Sequence, residues 1–247
     1  VGAAAAVWEV GWRGGTYAVK KFHTGCCGDL KEFKSEVAIM SVLYHPNVVP
    51  CLAAFLTDSP SSHPLLLSPL YSRGSLLEVL QNKELSLSPS TVLSMAVDAA
   101  MGMQYLHSFQ LVHRDLKPEN LLVSENWKLV VSDFGISRFL SETMTKAVGS
   151  SIYIAPEVFE TSLYTIKVDV YGFAYVLWSL WHRKVAFEEL SAFQLLTVII
   201  EENKRPKVAA DCPYSAIMAK CWHRDPNLRP SFAKIVYELK KLKEKKE

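Results

Sequence analysis

Apolar residues are spaced differently in the two halves of the chain. Short apolar runs at residues 7–10 and 16–22, divided by glycines, predict a β-hairpin. A helix is predicted over residues 29–44, where apolar side chains recur at spacings of three and four. Further runs at residues 48–56 and 65–70 predict two more strands. The apolar stripe of the helix comprises Leu30, Phe33, Val37, Met40 and Leu43.

The second half of the chain has mainly helical periodicity. Ser88-Pro89 predicts a helix start, since serine caps a helix and proline fits its first turn. The apolar stripe that follows is Val92, Ala96, Ala99, Met103 and Leu106. Two short strands are predicted at residues 121–123 and 128–131, and helical segments at residues 167–182, 191–202, 214–222 and 232–239. The pattern indicates an α+β protein in which a mainly β part with one long helix precedes a larger, mainly α part.

Composition indicates a folded globular chain and argues against some partners. Hydrophobic residues make up 49% of the 247 positions and charged residues 21%, which is ordinary for a folded protein and unlike a disordered one. The 27 Lys and Arg residues nearly balance the 25 Asp and Glu residues. Because a net charge of +2 cannot by itself form a broad electropositive face, we expect no nucleic-acid partner.

The cysteines and the longest apolar windows bear on where the protein acts. Five cysteines without a CxxC spacing indicate neither a disulfide framework nor a zinc site, which favours a reducing compartment. The apolar windows at residues 65–70 and 175–181 are too short to span a membrane, so we expect no membrane-spanning segment in this sequence. The sequence opens on a strand pattern without a Met, and we interpret it as a piece of a longer polypeptide.

Two polar motifs place oxygen ligands beside predicted strands. The run His113-Arg114-Asp115-Leu116-Lys117-Pro118-Glu119-Asn120 sets Asp115 and Asn120 five residues apart, at a spacing where a loop can direct one oxygen to a hydroxyl and another to a metal. Asp133-Phe134-Gly135 follows the next strand and adds a second metal oxygen. Transfer of a phosphoryl group from a nucleotide needs such oxygens, together with an ammonium group on the phosphates.

These motifs resemble the catalytic and magnesium loops of protein kinases. The resemblance extends over essentially the whole chain, because further landmarks of the family occur in the expected order. They are Tyr17-Ala18-Val19-Lys20, Ile154-Ala155-Pro156-Glu157, Asp169-Val170-Tyr171-Gly172, Cys221-Trp222 and Arg229-Pro230. The last two, with Arg205-Pro206, are most similar to the tyrosine-kinase-like group.

The resemblance implies a bilobal protein kinase fold. Residues 1–71 would form the small, mainly β N-lobe with its long helix, and residues 72–247 the larger, mainly α C-lobe. It also implies that the chain binds ATP and Mg²⁺ and acts on a protein substrate. We expect it to work in the cytoplasm or in the cytoplasmic part of a larger protein.

By the same resemblance, roles fall on particular side chains. Lys20 would hold the α- and β-phosphates and pair with Glu36 of the first helix. Asp115 would accept or orient the proton of the substrate hydroxyl, and Lys117 would steady the phosphoryl group in transfer. The two metal ligands would be Asn120 and Asp133. We expect Met40, Cys51 and Phe134 to belong to the core stack beneath Glu36 and not to contact ligand.

Nucleotide-binding residues follow from the same pattern. Adenine would lie between Val7, Ala18 and Leu122, and would hydrogen-bond to the carbonyl of Pro69 and the N–H of Tyr71. Ser68 would guard the back of the pocket, where its small side chain predicts unusual access. In the glycine-rich loop Gly2 matches the middle glycine, whereas Ala5 stands where the family has its last glycine. A methyl group there predicts weaker phosphate binding, costing about 1 kcal/mol.

Regulation and acceptor specificity complete the expectations. A phosphate on the polar loop after Asp133 could be held by Arg114 with help from Arg138. The candidate acceptors are Ser141, Thr143 and Thr145, of which we favour Thr145, phosphorylated by an upstream kinase or by another copy of this chain.

Lys117 and Gly149-Ser150 resemble serine/threonine kinases and indicate that specificity. Two alternatives stay open. One is a kinase-like scaffold without catalysis, suggested by Ala5, and the other is a tyrosine or dual-specificity kinase.

Overall fold

A computed structural model provides the coordinates for this chain. It describes residues 5–22, 27–56, 63–134, 137–139, 151–160, 164–191, 194–195 and 197–244. No helix within these residues combines the length and the apolar character that a membrane span requires.

A four-stranded antiparallel sheet forms the first part of the molecule. Its strands are β1 (Ala5–Trp12), β2 (Gly15–Phe22), β3 (Ala53–Phe55) and β4 (Leu65–Pro69), and their order in the sheet is β1-β2-β4-β3. The predicted hairpin is confirmed, and its turn has positive φ at Arg13, 49°, and at Gly14, 80°. Pairing of β2 with β4 sets Ala18 opposite Ser68 and Lys20 opposite Leu66.

The strand predicted at residues 48–56 is wrong in its extent, since only Ala53–Phe55 pairs within the sheet. The reason is that residues 47–49 pair elsewhere. Val131 N donates to the carbonyl of Asn47, and Val49 N donates to the carbonyl of Val131, each at 2.9 Å. Pro50 follows and has no N–H with which to continue a ladder.

One long helix, α1 (Cys27–Val42), packs against the sheet. Its buried face carries Phe33, Glu36 and Met40, and Leu43 directly after the helix is also buried, which confirms the predicted stripe at Phe33, Met40 and Leu43. Leu30 is exposed, contrary to the prediction. The ring of Phe33 meets Phe22 of β2 edge-on, with the ring centres 5.1 Å apart, and this contact seats the helix on the strand.

The second part of the molecule is mainly helical. Helix α3 (Pro89–Ser108) begins as predicted, because Ser88 caps it by accepting from Thr91 N, and Pro89 occupies its first turn. All five residues of its predicted stripe are buried. The other helices include α2 (Leu76–Gln81), α4 (Glu157–Glu160), α5 (Lys167–His182), α6 (Ser215–Cys221) and α7 (Phe232–Glu244).

Helix α2 lies where helical periodicity was expected from Gly74 onward, but it was not predicted as a separate helix, although it begins with a capping box between Ser75 and Glu78. Helix α5 has the predicted bounds and is buried along nearly its whole length. Within the segment predicted as helix at residues 191–202, the structure describes a π-helical turn at Thr197–Glu201.

Two separate two-stranded sheets follow α3. They are β5 (Leu111–Val112), paired with β8 (Arg138–Phe139), and β6 (Leu121–Val123), paired with β7 (Leu129–Val131). Helix α3 approaches β7 closely at Gly102, where a Cβ atom would lie 2.5 Å from the carbonyl oxygen of Asn47. Glycine at this position therefore allows the segment at residues 47–49 to pack against the large helical part.

Candidate active site

An ammonium group from the sheet meets two carboxylates from distant parts of the chain. The Nζ atom of Lys20 lies 2.9 Å from both carboxylate oxygens of Glu36 and 3.1 Å from Oδ1 of Asp133. Burial by itself would lower the pKa of Lys20, but the charges of Glu36 and Asp133 raise it above the ordinary value. Lys20 is therefore an ammonium ion at neutral pH. The pairing of Lys20 with Glu36 agrees with the sequence prediction.

The loop before β6 brings two of the expected side chains to Asp115. Lys117 Nζ lies 2.7 Å from Asp115 Oδ2. The amide nitrogen of Asn120 donates to the same oxygen at 2.9 Å and to the Asp115 carbonyl at 2.8 Å. These bonds fix the direction of the Asp115 carboxylate, and they leave the amide oxygen of Asn120 as the atom that could bind a metal.

Asp169 of α5 holds this loop from below. Its carboxylate accepts hydrogen bonds of 2.9 Å from the backbone N–H groups of His113 and Arg114, and it lies 2.9 Å from His107 Nε2. Burial would raise the pKa of Asp169, but the hydrogen bond and charge of His107, followed by His113 and the Arg114 N–H, hold it below the ordinary value. The loop is thus tied to a buried, ionised carboxylate.

Phe134 and His113 form the floor beneath Asp133. Both side chains are fully buried, and their ring centres are 5.7 Å apart. Asp115 N donates to His113 Nδ1, so His113 Nε2 carries the proton and donates to the Ser132 carbonyl at 2.9 Å. Asp133 adopts a left-handed backbone, φ 62°, and its side chain is half-exposed, whereas Phe134 is buried.

A cleft with a volume of about 240 Å³ lies between the sheet and this loop. Its lining includes predicted nucleotide and metal residues, namely Val7, Ala18, Lys20, Ser68, Leu122, Asn120 and Asp133. Pro69 and Tyr71 are not among the described residues that line it, and Gly2 lies outside the described part of the chain.

Several cleft residues were not predicted as such. Met40 is buried as expected but also lines the cleft, together with Val49, Leu66, Glu119 and Ser132. Leu66 could have been found, because it lies two residues before Ser68 and alternate residues of a strand share a face. Val49 could not, because its place depends on the pairing of residues 47–49 with β7.

The predicted regulatory residues are only partly within the described structure. Arg114 has a positive φ of 73°, and its guanidinium lies 5.9 Å from the centre of the Tyr164 ring. The backbone of Arg138 forms part of β8. Ser141, Thr143 and Thr145 lie outside the described residues.

A further ion pair stabilises the large part away from the cleft. The guanidinium of Arg229 binds both carboxylate oxygens of Glu157, at 2.6 and 2.8 Å. Arg229 also donates to the carbonyls of His223, Lys167 and Arg224, so this buried cation is fully surrounded by acceptors.

The fold and this cleft are those of a bilobal α+β phosphotransferase. Residues 2–239 match the family model for the protein tyrosine and serine/threonine kinase domain. The chain belongs to this family of protein kinases, whose members use ATP, a divalent metal ion and protein substrates.

Curated relatives agree with this membership. The chain is 37% identical over 236 residues to a probable serine/threonine-protein kinase of Dictyostelium discoideum, covering 94% of this chain and 17% of the relative. It is 38% identical to the serine/threonine/tyrosine-protein kinase HT1 of Arabidopsis thaliana, over 87% of this chain and 55% of the relative. It is also 38% identical to the dual specificity protein kinase shkA of Dictyostelium discoideum, over 86% and 42%. The chain therefore spans only part of the length of these relatives.

Proposed function

We propose that this chain transfers the γ-phosphate of ATP to serine and threonine hydroxyls of protein substrates. The observation that supports this most is the contact of one ammonium, Lys20, with the carboxylates of Glu36 and Asp133 at 2.9 and 3.1 Å. A cation held at the cleft by two carboxylates is ready to receive phosphate oxygens. A kinase-like scaffold without catalysis has no need of this arrangement.

A divalent cation suits the residues at the cleft. Within the described residues, no group of three or more His, Cys, Asp or Glu side chains could hold a metal by itself. Mg²⁺ is commonly bound by one or two protein oxygens together with substrate phosphates, and Asn120 and Asp133 provide such hard oxygen ligands. The Asp133 side chain is half-exposed toward the cleft. When bound, Mg²⁺ would neutralise phosphate charge.

We assign to Asp115 the role of binding the acceptor hydroxyl. In this proposal Asp115 hydrogen-bonds to the serine or threonine O–H and orients it toward the γ-phosphorus. Lys117, now 2.7 Å from Asp115, would bind the transferred phosphoryl group and offset its negative charge. In the transfer step, Asp115 thus acts on the acceptor hydroxyl and Lys117 on the phosphoryl group.

The adenine ring is assigned to the apolar end of the cleft. Val7 and Ala18 from the sheet would cover one face of the ring, and Leu122 of β6 the other. The Pro69 carbonyl and the Tyr71 N–H would bind its polar edge, and Gly2 would contribute to the phosphate loop. Ser68 leaves open the part of the cleft that continues beyond the adenine.

Transfer of radiolabel from ATP to a generic protein acceptor tests the proposal. We expect the wild type to transfer label, and Asp115→Asn to lose at least about 100-fold of the rate, the low end of the effect of a general base. Asp211→Asn, which changes an exposed carboxylate away from the cleft, is the matched control. Equal background from the wild type and Asp115→Asn would contradict the proposal.

Dual specificity is the second candidate function. The observation that favours it is that two relatives at 38% identity are named as serine/threonine/tyrosine and dual specificity kinases. Phosphoamino-acid analysis of a labelled mixed acceptor distinguishes the two. Phosphoserine and phosphothreonine alone support the first candidate, and added phosphotyrosine supports the second.

We further propose control by phosphorylation of the loop after Asp133. Arg114 and Arg138 would bind the phosphate, with Thr145 favoured over Ser141 and Thr143 as acceptor. Mass spectrometry of active protein should find phosphate on this loop, and a finding that all three hydroxyls are unmodified would contradict the idea. If a second copy of this chain is the phosphorylating partner, the rate rises with protein concentration. An upstream kinase is required if phosphate never appears on purified protein.

The cytoplasm, or the cytoplasmic part of a larger protein, is the compartment we propose. ATP is the proposed substrate, and the described cysteines Cys51, Cys212 and Cys221 are free thiols, as expected under reducing conditions.

A further inference from the structure

The connector is the segment between β4 and α2, residues 70–75. Arg73 links it to the turn between β6 and β7. Its guanidinium carbon lies 3.7 Å from the centre of the Trp127 ring. Its Nε atom donates a hydrogen bond of 2.9 Å to the carbonyl of Glu125 in the same turn. Both side chains are half-buried. A guanidinium that stacks on a ring and also donates beside it is held in one position, unlike an exposed cation in solvent.

The same connector is hydrogen-bonded to the strand that carries Leu122. Arg73 N donates to the Val123 carbonyl at 3.1 Å, and Val123 N donates to the Gly74 carbonyl at 2.9 Å. Gly74 N in turn donates to the Tyr71 carbonyl at 3.0 Å. The proposed floor of the adenine site, Leu122, and its proposed polar edge, Tyr71, are therefore connected through the backbone at Arg73.

Trp127 occupies a backbone conformation that a bulky residue rarely adopts. Its φ is 62°, within the left-handed region that favours glycine and asparagine. Its N–H donates to the Ser124 carbonyl at 3.0 Å and closes the turn. Glycine would form the same turn without strain but would offer no ring to Arg73. The stack with Arg73 thus gives a reason for a tryptophan at a position where the backbone favours glycine.

We propose that Arg73 and Trp127 form a clamp that positions the connector against the Leu122 strand, so that adenine binds between a fixed floor and a fixed edge. This inference rests on the proposed function, because it takes the cleft to be the ATP site. Neither side chain is among the described residues that line the cleft, and both are positioning residues. The clamp acts at the adenine end of the nucleotide and not on the transfer step.

Binding of ATP and of adenosine, measured by displacement of a fluorescent adenine nucleotide, tests the clamp. Arg73→Ala should weaken binding of both about fivefold, the factor that corresponds to loss of one cation–π contact. Adenosine reports the adenine end alone, because it lacks phosphates. In turnover, KM for ATP should rise by the same factor while kcat stays unchanged.

The matched control is Lys234→Ala. It removes another cation–π contact, in which Lys234 Nζ lies 4.9 Å from the centre of the Tyr237 ring on α7, away from the cleft. We expect it to leave nucleotide affinity unchanged. Equal affinity of the wild type and Arg73→Ala for ATP would overturn the clamp. Failure of the wild type itself to bind ATP would instead contradict the proposed function, and the clamp with it.

Substitutions of Trp127 separate positioning from general stability. Trp127→Ala and Trp127→Gly should weaken nucleotide binding equally, whereas the glycine variant should melt at a higher temperature because it relieves the left-handed backbone. Trp127→Phe, which keeps an aromatic face, should retain most of the affinity. Affinities that simply follow melting temperature across the three variants would show a structural role only and overturn the proposal.

Discussion

The polar side chains at the cleft are held in place by ion pairs and hydrogen bonds to one another. Lys20 is surrounded by carboxylates, and Asp115 is bound by Lys117 and Asn120. Each polar group that we assign to phosphoryl transfer is thus oriented by another member of the same set. Such mutual support is expected where catalysis depends on positioned charges and not on covalent chemistry.

Glu36 offers the most direct test of this support, because its carboxylate is buried against Lys20. Glu36→Gln removes the charge but keeps the shape of the side chain. We expect kcat/KM for ATP to fall about tenfold or more, since a hydrogen bond to a charged group contributes about 1.5–3 kcal/mol. Glu202→Gln, which changes an exposed ion pair with Lys204, should alter it little. A Glu36 variant as active as the wild type would contradict the role of the pair.

In the proposed function, Ser68 guards the back of the adenine pocket. Met40 and Leu66 also line the cleft. Ser68→Leu should weaken inhibitors whose apolar groups reach this region by at least about tenfold, because a larger side chain would fill the space they occupy. KM for ATP should change little. Inhibition constants for an extended and an unextended inhibitor check this, and equal changes for both would refute it.

At the scale of elements, helix α5 holds the loop that carries Asp115 through one carboxylate, that of Asp169. Because its pKa in the folded protein lies below the ordinary value of 3.8, its ionised form stabilises the fold above that pH. This stabilisation is lost as pH falls through the lower, folded-state pKa. Asp169→Asn should reduce the free energy of unfolding at neutral pH by about 2–3 kcal/mol, since it weakens hydrogen bonds to a charged group.

Urea unfolding of the wild type and Asp169→Asn between neutral and acid pH measures this effect. The difference between the two proteins should begin to shrink as the pH falls below 3.8, where Asp169 becomes protonated in the unfolded chain, and it should be lost below the lower pKa of the folded state. Asp211→Asn serves again as the control, because its carboxylate is exposed. A difference that stayed constant with pH would show that the charge of Asp169 does not contribute.

Long elements with a clear period could be predicted from the sequence, as α3 and α5 show. Short elements could not. The strand at residues 48–56 looked continuous because its apolar residues pair with two different partners, β7 and the sheet. Helix α2, at only six residues, is stabilised by its capping box and by packing of Leu76, Val79 and Leu80, and such tertiary burial is not visible in a local pattern.

The candidate site was easier to predict than the fold around it. The residue types at Lys20, Asp115, Asn120 and Asp133 are dictated by the chemistry, so their motifs stand out in the sequence. Apolar cleft residues such as Val49 carry no chemical signature, and their position depends on long-range pairing. The same holds for the clamp, because Arg73 and Trp127 are far apart along the chain.

At the scale of the whole molecule, ATP and Mg²⁺ should act together as a stabilising ligand. The proposed nucleotide site takes residues from the sheet and from the loop before β6, so binding should hold the two parts together. At a concentration 100 times the Kd, a ligand adds about 2.7 kcal/mol to the free energy of unfolding. We expect ATP to raise the melting temperature more with Mg²⁺ than with EDTA.

Asp133→Asn distinguishes this metal effect from nucleotide binding alone. In this variant, Mg²⁺ should add little to the stabilisation by ATP, because one of its two proposed ligands has lost its charge. Thermal melts with ATP, with and without Mg²⁺, provide the measurement. A full magnesium effect in Asp133→Asn would contradict the assignment of Asp133 as a metal ligand.

The packing of Asn47 on Gly102 has a mechanical consequence. Asn47 is bound to β7 through its backbone and through its side chain, which donates to the Leu129 carbonyl at 2.9 Å. The chain just after α1 is therefore anchored to the half of the molecule that carries Asp115. Any rotation of α1 must therefore pivot at its anchored C-terminal end. The N-terminal end of the helix would move farthest, and Glu36, about midway along, would move less.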